Sequence, residues 1–477
     1  MRLYTLTSSV GLVLVVASRT VAQQPVPESF VLRDLHLQLA VDYTTPRLAG
    51  TVTMEMENWT TAPASTVSFL LHRLMDASKV TDRAGAPLQY TQSVRRFVDD
   101  SIRQVTHVVV ELPHPIAPSE RATVRIEYGG FLTPYTEVGW LYVKDHIDSA
   151  FTIIRTDALA FPEIGGLSDA ANRRMPPRDF TYEADVRVPA KYAVATGGDQ
   201  TKTLNSDGTI TWHYESVKRS PFLNISIAPF DTLSAGGIRV FYFPGDSVGA
   251  RTLLKSTRAA LDTMTAWFGP LHTKTNLTVT EIPTGWGSQS HLVGGIIQEA
   301  DAFQDPRYMA VFYHELSHLW NADDTDSPSP RWNEGLAMFM QYLLREKIDS
   351  WPRRAIADSG VIARAKQKVA TDSLWGQVPM IDYGKRRMTD ASYVVGNLMF
   401  STLYYLLGQS DFNRVVGGYY QKFAPTGGTT RDFVSFAKEN SSRDLSSFFD
   451  DWIFTTRWTK VVAAANTIAE LASHYDK

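Results

Sequence analysis

The spacing of apolar residues changes once along this chain, from every second residue to every third or fourth, and that change divides the fold. Leu35, Leu37, Leu39, Val41 and Tyr43 alternate with other residues, which puts one face of a strand into a core. The alternation returns at Val52, Met54 and Met56, at Val124, Ile126 and Tyr128, and at Tyr182, Ala184, Val186 and Val188. Asn205-Ser206-Asp207-Gly208 reads as a hairpin turn between two short runs, because Asn, Asp and Gly tolerate positive φ. Residues 30–235 therefore read as all-β, a sandwich or an open curved sheet. After Phe243-Pro244-Gly245 the period shifts. Leu254, Thr257, Leu261, Met264 and Phe268 recur at steps of three and four until Gly269-Pro270 stops the helix. Leu277, Val279 and Glu281 suggest one more strand. Helical patterns then dominate, through Trp320 and at Glu334–Arg345, Ala391–Leu407, Phe412–Phe423 and Asp444–Phe454. The boundary falls near Ala235–Gly237.

A length of 477 residues exceeds one typical core, so two or three domains are expected. The 44% apolar and 20% charged content excludes a disordered or collagen-like chain. A formal charge of −3 carries no basic surplus and argues against a nucleic-acid partner. With no cysteine there is no disulfide framework, thiolate metal site or cysteine nucleophile, so any transition-metal site must use His, Asp and Glu. Met1-Arg2, the apolar Val10–Ala17 run and Thr20-Val21-Ala22 form a charged, apolar and small-x-small series typical of a secretory signal. The apolar run is well short of the roughly 20 residues that span a bilayer. The expected organisation is a signal peptide over 1–22, a β domain over 23–235 and a second domain over 236–477, exported and without a transmembrane segment in the mature chain.

Asp305-Pro306 precedes an apolar run. Asp caps free N–H groups and Pro is tolerated in a first turn, so a helix should begin there. Within it lies His314-Glu315-Leu316-Ser317-His318. The i, i+4 spacing stacks both imidazoles on one face, within reach of a single zinc ion, and Glu315 sits beside them to accept a proton from water. Trp332-Asn333-Glu334-Gly335 opens the next helical run. Catalytic zinc usually has three protein ligands, and Glu334 is a natural third once the Asn321–Arg331 loop turns that helix back. Asp323-Asp324-Thr325-Asp326 in that loop reads as a solvated acidic turn.

These motifs resemble the aminopeptidase N-like zinc peptidases within the gluzincins, the family that includes leukotriene hydrolase. The resemblance rests on His314–Trp320 and on Trp332-Asn333-Glu334-Gly335-Leu336-Ala337. Tyr393-Val394-Val395-Gly396, Phe448-Phe449-Asp450-Asp451-Trp452-Ile453 and Trp267-Phe268-Gly269-Pro270 are similar to further family stretches. It implies an all-β, saddle-like N-terminal domain followed by a thermolysin-like, mainly helical peptidase domain. It also implies zinc on His314, His318 and Glu334, Glu315 as general base, and Tyr393 as hydrogen-bond donor to the oxyanion, with Tyr383 as the competing tyrosine.

Four features depart from the family pattern. The spacing between His318 and Glu334 is shorter than usual, a trimming that falls in the Asp/Ser/Pro-rich loop. The family's substrate-edge motif, G-x-M-E-N, finds its candidate in Gly294-Gly295-Ile296-Ile297-Gln298-Glu299. There Gln298 or Glu299 would take the place of the carboxylate that holds the free amine, and an amide holds an ammonium less strongly. Gln341 stands where the family tends to have another Glu, and the chain ends soon after the Phe448–Ile453 stretch, without the family's large C-terminal helical domain.

The expected function is hydrolysis of peptide bonds, in peptides or proteins, by zinc-activated water. An aminopeptidase-like activity comes first. An endopeptidase or oligopeptidase without amine recognition is the rival within the class, and an exported non-catalytic zinc-containing binding protein is the rival outside it.

Overall fold

The computed structural model describes residues 25–176, 179–272, 276–291, 293–351 and 354–476. The expected signal segment 1–22 lies outside them. Among the described residues the alternating runs form sheets of seven, four and three strands that precede the helical part. Strand Phe30–Asp42 is central to the largest sheet, antiparallel to Arg47–Asn58 and parallel to Thr181–Pro189. Its alternation has the anticipated physical result. Leu35 and Leu37 are fully buried, Leu39 nearly so, and all three join one apolar core with Val52, Met54, Val124, Ile126 and Val186.

A five-stranded sheet follows, in the order Asp231–Ala235, Ile238–Tyr242, Leu277–Ile282, Gly295–Glu299, Gln289–His291. The middle three strands are parallel and the outer two antiparallel to them. Every residue of Leu277–Ile282 is buried, as expected for a strand covered on both faces. Val240, Val279 and Ile296 pack into the helical core, whereas Phe241, Ile282 and Ile297 pack into the β core. This sheet is therefore a wall shared by the two cores.

Against its helical side lie Ser247–Phe268, Met309–Ser317, Trp332–Ile348 and the long Ser392–Phe423. No helix among the described residues is long and apolar enough to cross a membrane. The architecture is a β-rich N-terminal part followed by a mainly helical part.

One expectation changes. Asp323–Asp326 is not a merely solvated turn. Asp326 accepts hydrogen bonds from the Thr430 N–H and hydroxyl at 2.8 and 2.6 Å, Asp324 accepts from Ser329, and the Gly428 N–H reaches the Asp323 carbonyl at 2.9 Å. The short loop is latched to the start of helix Thr430–Asn440.

Candidate active site

Asp305 caps the segment before the HExxH motif, accepting from the Arg307 N–H at 2.9 Å, and Pro306 opens a 3-10 turn that leads into Met309–Ser317. The α-helix ends at Ser317, so His318 stands in the following 3-10 turn, His318–Trp320. The motif thus lies at the helix's C-terminal end, later than its central place in the sequence pattern suggests. Both imidazoles still share a face, with centroids 4.9 Å apart and planes at 84°.

Helix Trp332–Ile348 brings Glu334 to them in its first turn. Its Oε2 is 3.3 Å from His314 Nε2 and 3.4 Å from His318 Nε2, and one donor atom from each residue lies within 4.8 Å of the other two. A tetrahedral zinc with bonds of about 2.0–2.1 Å has ligand-to-ligand edges of roughly 3.3–3.4 Å, so these donors fit that ion. His318 Nδ1 faces the Asn321 side-chain amide at 2.7 Å. If Nε2 binds metal, Nδ1 carries the proton and the amide must present its oxygen. Burial opposes the charge on Glu334, but His318, hydrogen bonds from both imidazoles and Arg331 together hold its carboxyl well below the usual range.

Glu315 is buried beside this group. Burial pushes its carboxyl up to about 7, opposed by His314 and assisted by Glu334, while the Ser290 N–H donates to it. The Ser290 contact comes from the sheet's free edge, Gln289–His291.

Tyr393 arrives from the start of Ser392–Phe423 with its ring stacked on His314 at 6.1 Å, and burial next to the Glu334 carboxylate keeps its phenol protonated. The glycines of the two motifs make this approach possible. A Cβ on Gly335 would meet Gly396 Cα at 2.3 Å, so the helices carrying Glu334 and Tyr393 cross with backbones in contact. Tyr383 is elsewhere: it is fully buried, and its hydroxyl has no hydrogen-bond partner among the described residues.

The structure places the expected edge segment inside the five-stranded sheet, not at its edge. Gly294–Gly295 forms a turn into an interior strand, where Gly295 packs closely on Gly197 of the β part. Gln298 is 1% exposed and registers beside Glu281, and Glu299 accepts the Gly287 N–H at 2.7 Å. The edge is Gln289–His291 instead, reached through a turn in which Gly285 and Gly287 adopt φ of +80° and +76°. That Gly-Trp-Gly turn was the available signal, since paired glycines before a short polar run mark a chain reversal.

The β part also reaches the edge, a contribution the sequence did not suggest. Asp157 accepts from Gln289 Nε2 at 2.9 Å and also approaches the Tyr142 phenol. Arg155, fully buried and paired with Asp145 at 2.7 Å, donates to the Trp286 carbonyl at 3.1 Å. Gln341 is buried on the helix that carries Glu334.

The peptidase family M1 domain matches residues 294–452 of this chain. No curated protein sequence matches it. Among solved structures the chain is similar to an M1 zinc metallopeptidase from Deinococcus radiodurans, a mutant bound to a Tyr-Ser-Ala substrate. The identity is 18%, covering 89% of this chain and 94% of that one, with a TM-score of 0.63. A two-domain M1 zinc metallopeptidase mutant bound to L-arginine is similar at 19% identity over 90% and 94% of the respective chains, with a TM-score of 0.62. The M1 domain over residues 294–452 and the two-part fold together support a hydrolase of the aminopeptidase N-like gluzincin kind.

Proposed function

We propose that this chain is an exported, zinc-dependent aminopeptidase-like hydrolase, in which His314, His318 and Glu334 hold one zinc ion. The observation that carries this reading is the set of donor separations at Glu334 Oε2, 3.3 and 3.4 Å, with the Glu315 carboxyl and the Tyr393 phenol beside them. Bound there, zinc supplies Lewis acidity toward water and the scissile carbonyl. Glu315, steadied by the Ser290 N–H, takes the proton of the attacking water and later delivers it to the leaving amine. Tyr393 donates its O–H to the carbonyl oxygen as negative charge develops, an interaction stronger in the transition state than in the ground state. Export rests on the sequence pattern of Met1–Ala22.

Recognition of a free amine needs a carboxylate near the substrate edge. Gln298 is buried inside the sheet and the Glu299 carboxylate is taken up by the Gly287 N–H, so the amine would face the half-buried Asp157, which touches the edge strand from the β part. The peptide and the amino acid bound in two of the relatives support small free-amine substrates as the class to test. The absence of a carboxylate on Gln289–His291 favours the second reading, an endopeptidase. A peptide series with free and acetylated amino termini separates them. Stepwise removal of single residues from free peptides only supports the aminopeptidase, whereas internal cleavage of acetylated peptides supports the endopeptidase.

A further inference from the structure

The Glu334 carboxylate is divided between two kinds of partner. Its Oε2 faces both imidazoles, while its Oε1 is held by the guanidinium of Arg331, three residues earlier. Arg331 occupies the N-cap of Trp332–Ile348 with φ 58° and ψ 36°, left-handed backbone that costs a non-glycine residue on the order of 1 kcal/mol. Several contacts maintain that conformation. The Arg331 N–H donates to Ser329 Oγ at 2.9 Å, Ser329 is held by Asp324, and the Pro330 carbonyl accepts from Ser392 Oγ at 2.7 Å. Ser392 is the neighbour of Tyr393 in sequence. The backbone just before Glu334 is thus fixed both by the acidic loop and by the helix that bears Tyr393.

We propose that Arg331 is a positioning residue that keeps Glu334 a one-oxygen ligand, an inference that rests on the zinc reading above. A carboxylate has two oxygens and can bind a metal through either one or both. With Oε1 occupied by a charge-assisted bond, only Oε2 is free for the ion. Three protein atoms then leave the further position that a catalytic zinc site requires for water or substrate. Without the guanidinium, Oε1 is released, Glu334 can turn or chelate, and the open position is compromised. Groups that orient a ligand in this way typically change metal affinity by about 10–100-fold.

The test compares wild type, Arg331→Gly and Arg331→Lys as full-length proteins. Glycine removes the guanidinium and accommodates positive φ without strain, so its thermal unfolding should be no lower than that of wild type. Zinc affinity is measured by competition with a chromophoric chelator, and coordination by the visible absorption of the cobalt(II)-substituted proteins. The expected result is zinc affinity at least about 10-fold weaker in R331G, partial recovery in R331K, and weaker cobalt absorption in R331G as coordination number rises. A folded R331G with unchanged zinc affinity and an unchanged cobalt spectrum would overturn the proposal. Failure of the wild type itself to bind zinc would instead overturn the metal-site reading, and this inference with it.

Discussion

The Tyr393 ring lies parallel to the His314 imidazole, with planes 6° apart and centroids separated by 6.1 Å. That stacking places a phenol next to the proposed metal face, whereas Tyr383 sits in the core with its hydroxyl unpartnered among the described residues. Tyr393→Phe should therefore lower kcat by about 10²–10³-fold with KM little changed, the signature of losing a donor used mainly in the transition state. Tyr383→Phe should leave kcat within about twofold, because it deletes an unsatisfied buried hydroxyl. Steady-state kinetics on one peptide decide between them, and the reverse pattern would exchange their roles.

The contact between Gly335 and Gly396 predicts a steric effect. In Gly335→Ala the new methyl would lie 2.3 Å from Gly396 Cα and 2.7 Å from the Ser392 carbonyl oxygen, neither of which can rotate away. A loss of about 1–3 kcal/mol in urea unfolding is expected, accompanied by a lower zinc content as Glu334 moves relative to the histidines. Gly360→Ala is the control. That glycine is exposed on a helix with nothing among the described residues within 4 Å of a new Cβ, so alanine should be neutral or stabilising by up to about 1 kcal/mol.

Glu281 predicts a pH dependence of stability. It is fully buried on Leu277–Ile282, and burial pushes its carboxyl up to about 8; the Phe243 N–H opposes the shift and the Asp246 carboxylate adds to it. The unfolded chain releases this proton near 4.5, so between pH 4.5 and 8 the native state holds one more proton. Stability consequently falls as pH rises through that window. Glu281→Gln removes the effect, and its melting temperature should exceed that of wild type by a margin that grows from pH 5 to pH 9. Parallel melting curves across that range would contradict the assignment.

Asp145 and Arg155 form an ion pair with no exposure on either side chain. Asp145→Asn leaves the guanidinium without its counter-charge, and removing one partner of such a pair costs about 3–5 kcal/mol. Because Arg155 also holds the Trp286 carbonyl, the Gly285–Gly287 turn that delivers the edge strand should loosen. A raised KM is expected in whatever protein folds, and unchanged stability in denaturant would contradict the role given to the pair.

Much of this arrangement was legible before the fold was known, for reasons of local geometry. Alternation at Leu35–Tyr43 needs only the pleat of a strand, and the four-residue step from His314 to His318 needs only a helical turn. Asp305-Pro306 announced its helix by capping chemistry. The edge strand escaped because three residues, Gln289–His291, are too few for a period, while the longer apolar Gly294–Glu299 run invited the role and proved to be interior. Arg331 escaped because its reach to Glu334 depends on a left-handed residue, which a sequence announces only when that residue is glycine or asparagine. The glycine crossing beneath Tyr393 is a contact between residues 61 positions apart, beyond any local pattern.

The most direct test of the zinc-peptidase account is a comparison of wild type with Glu315→Gln, assaying hydrolysis of one free-amine tripeptide and zinc content on the same samples. The account predicts about one zinc per chain in both proteins, with turnover nearly abolished in the variant. Undiminished turnover in a zinc-loaded E315Q protein would contradict it, as would a wild type that hydrolyses the peptide equally well after its metal has been removed.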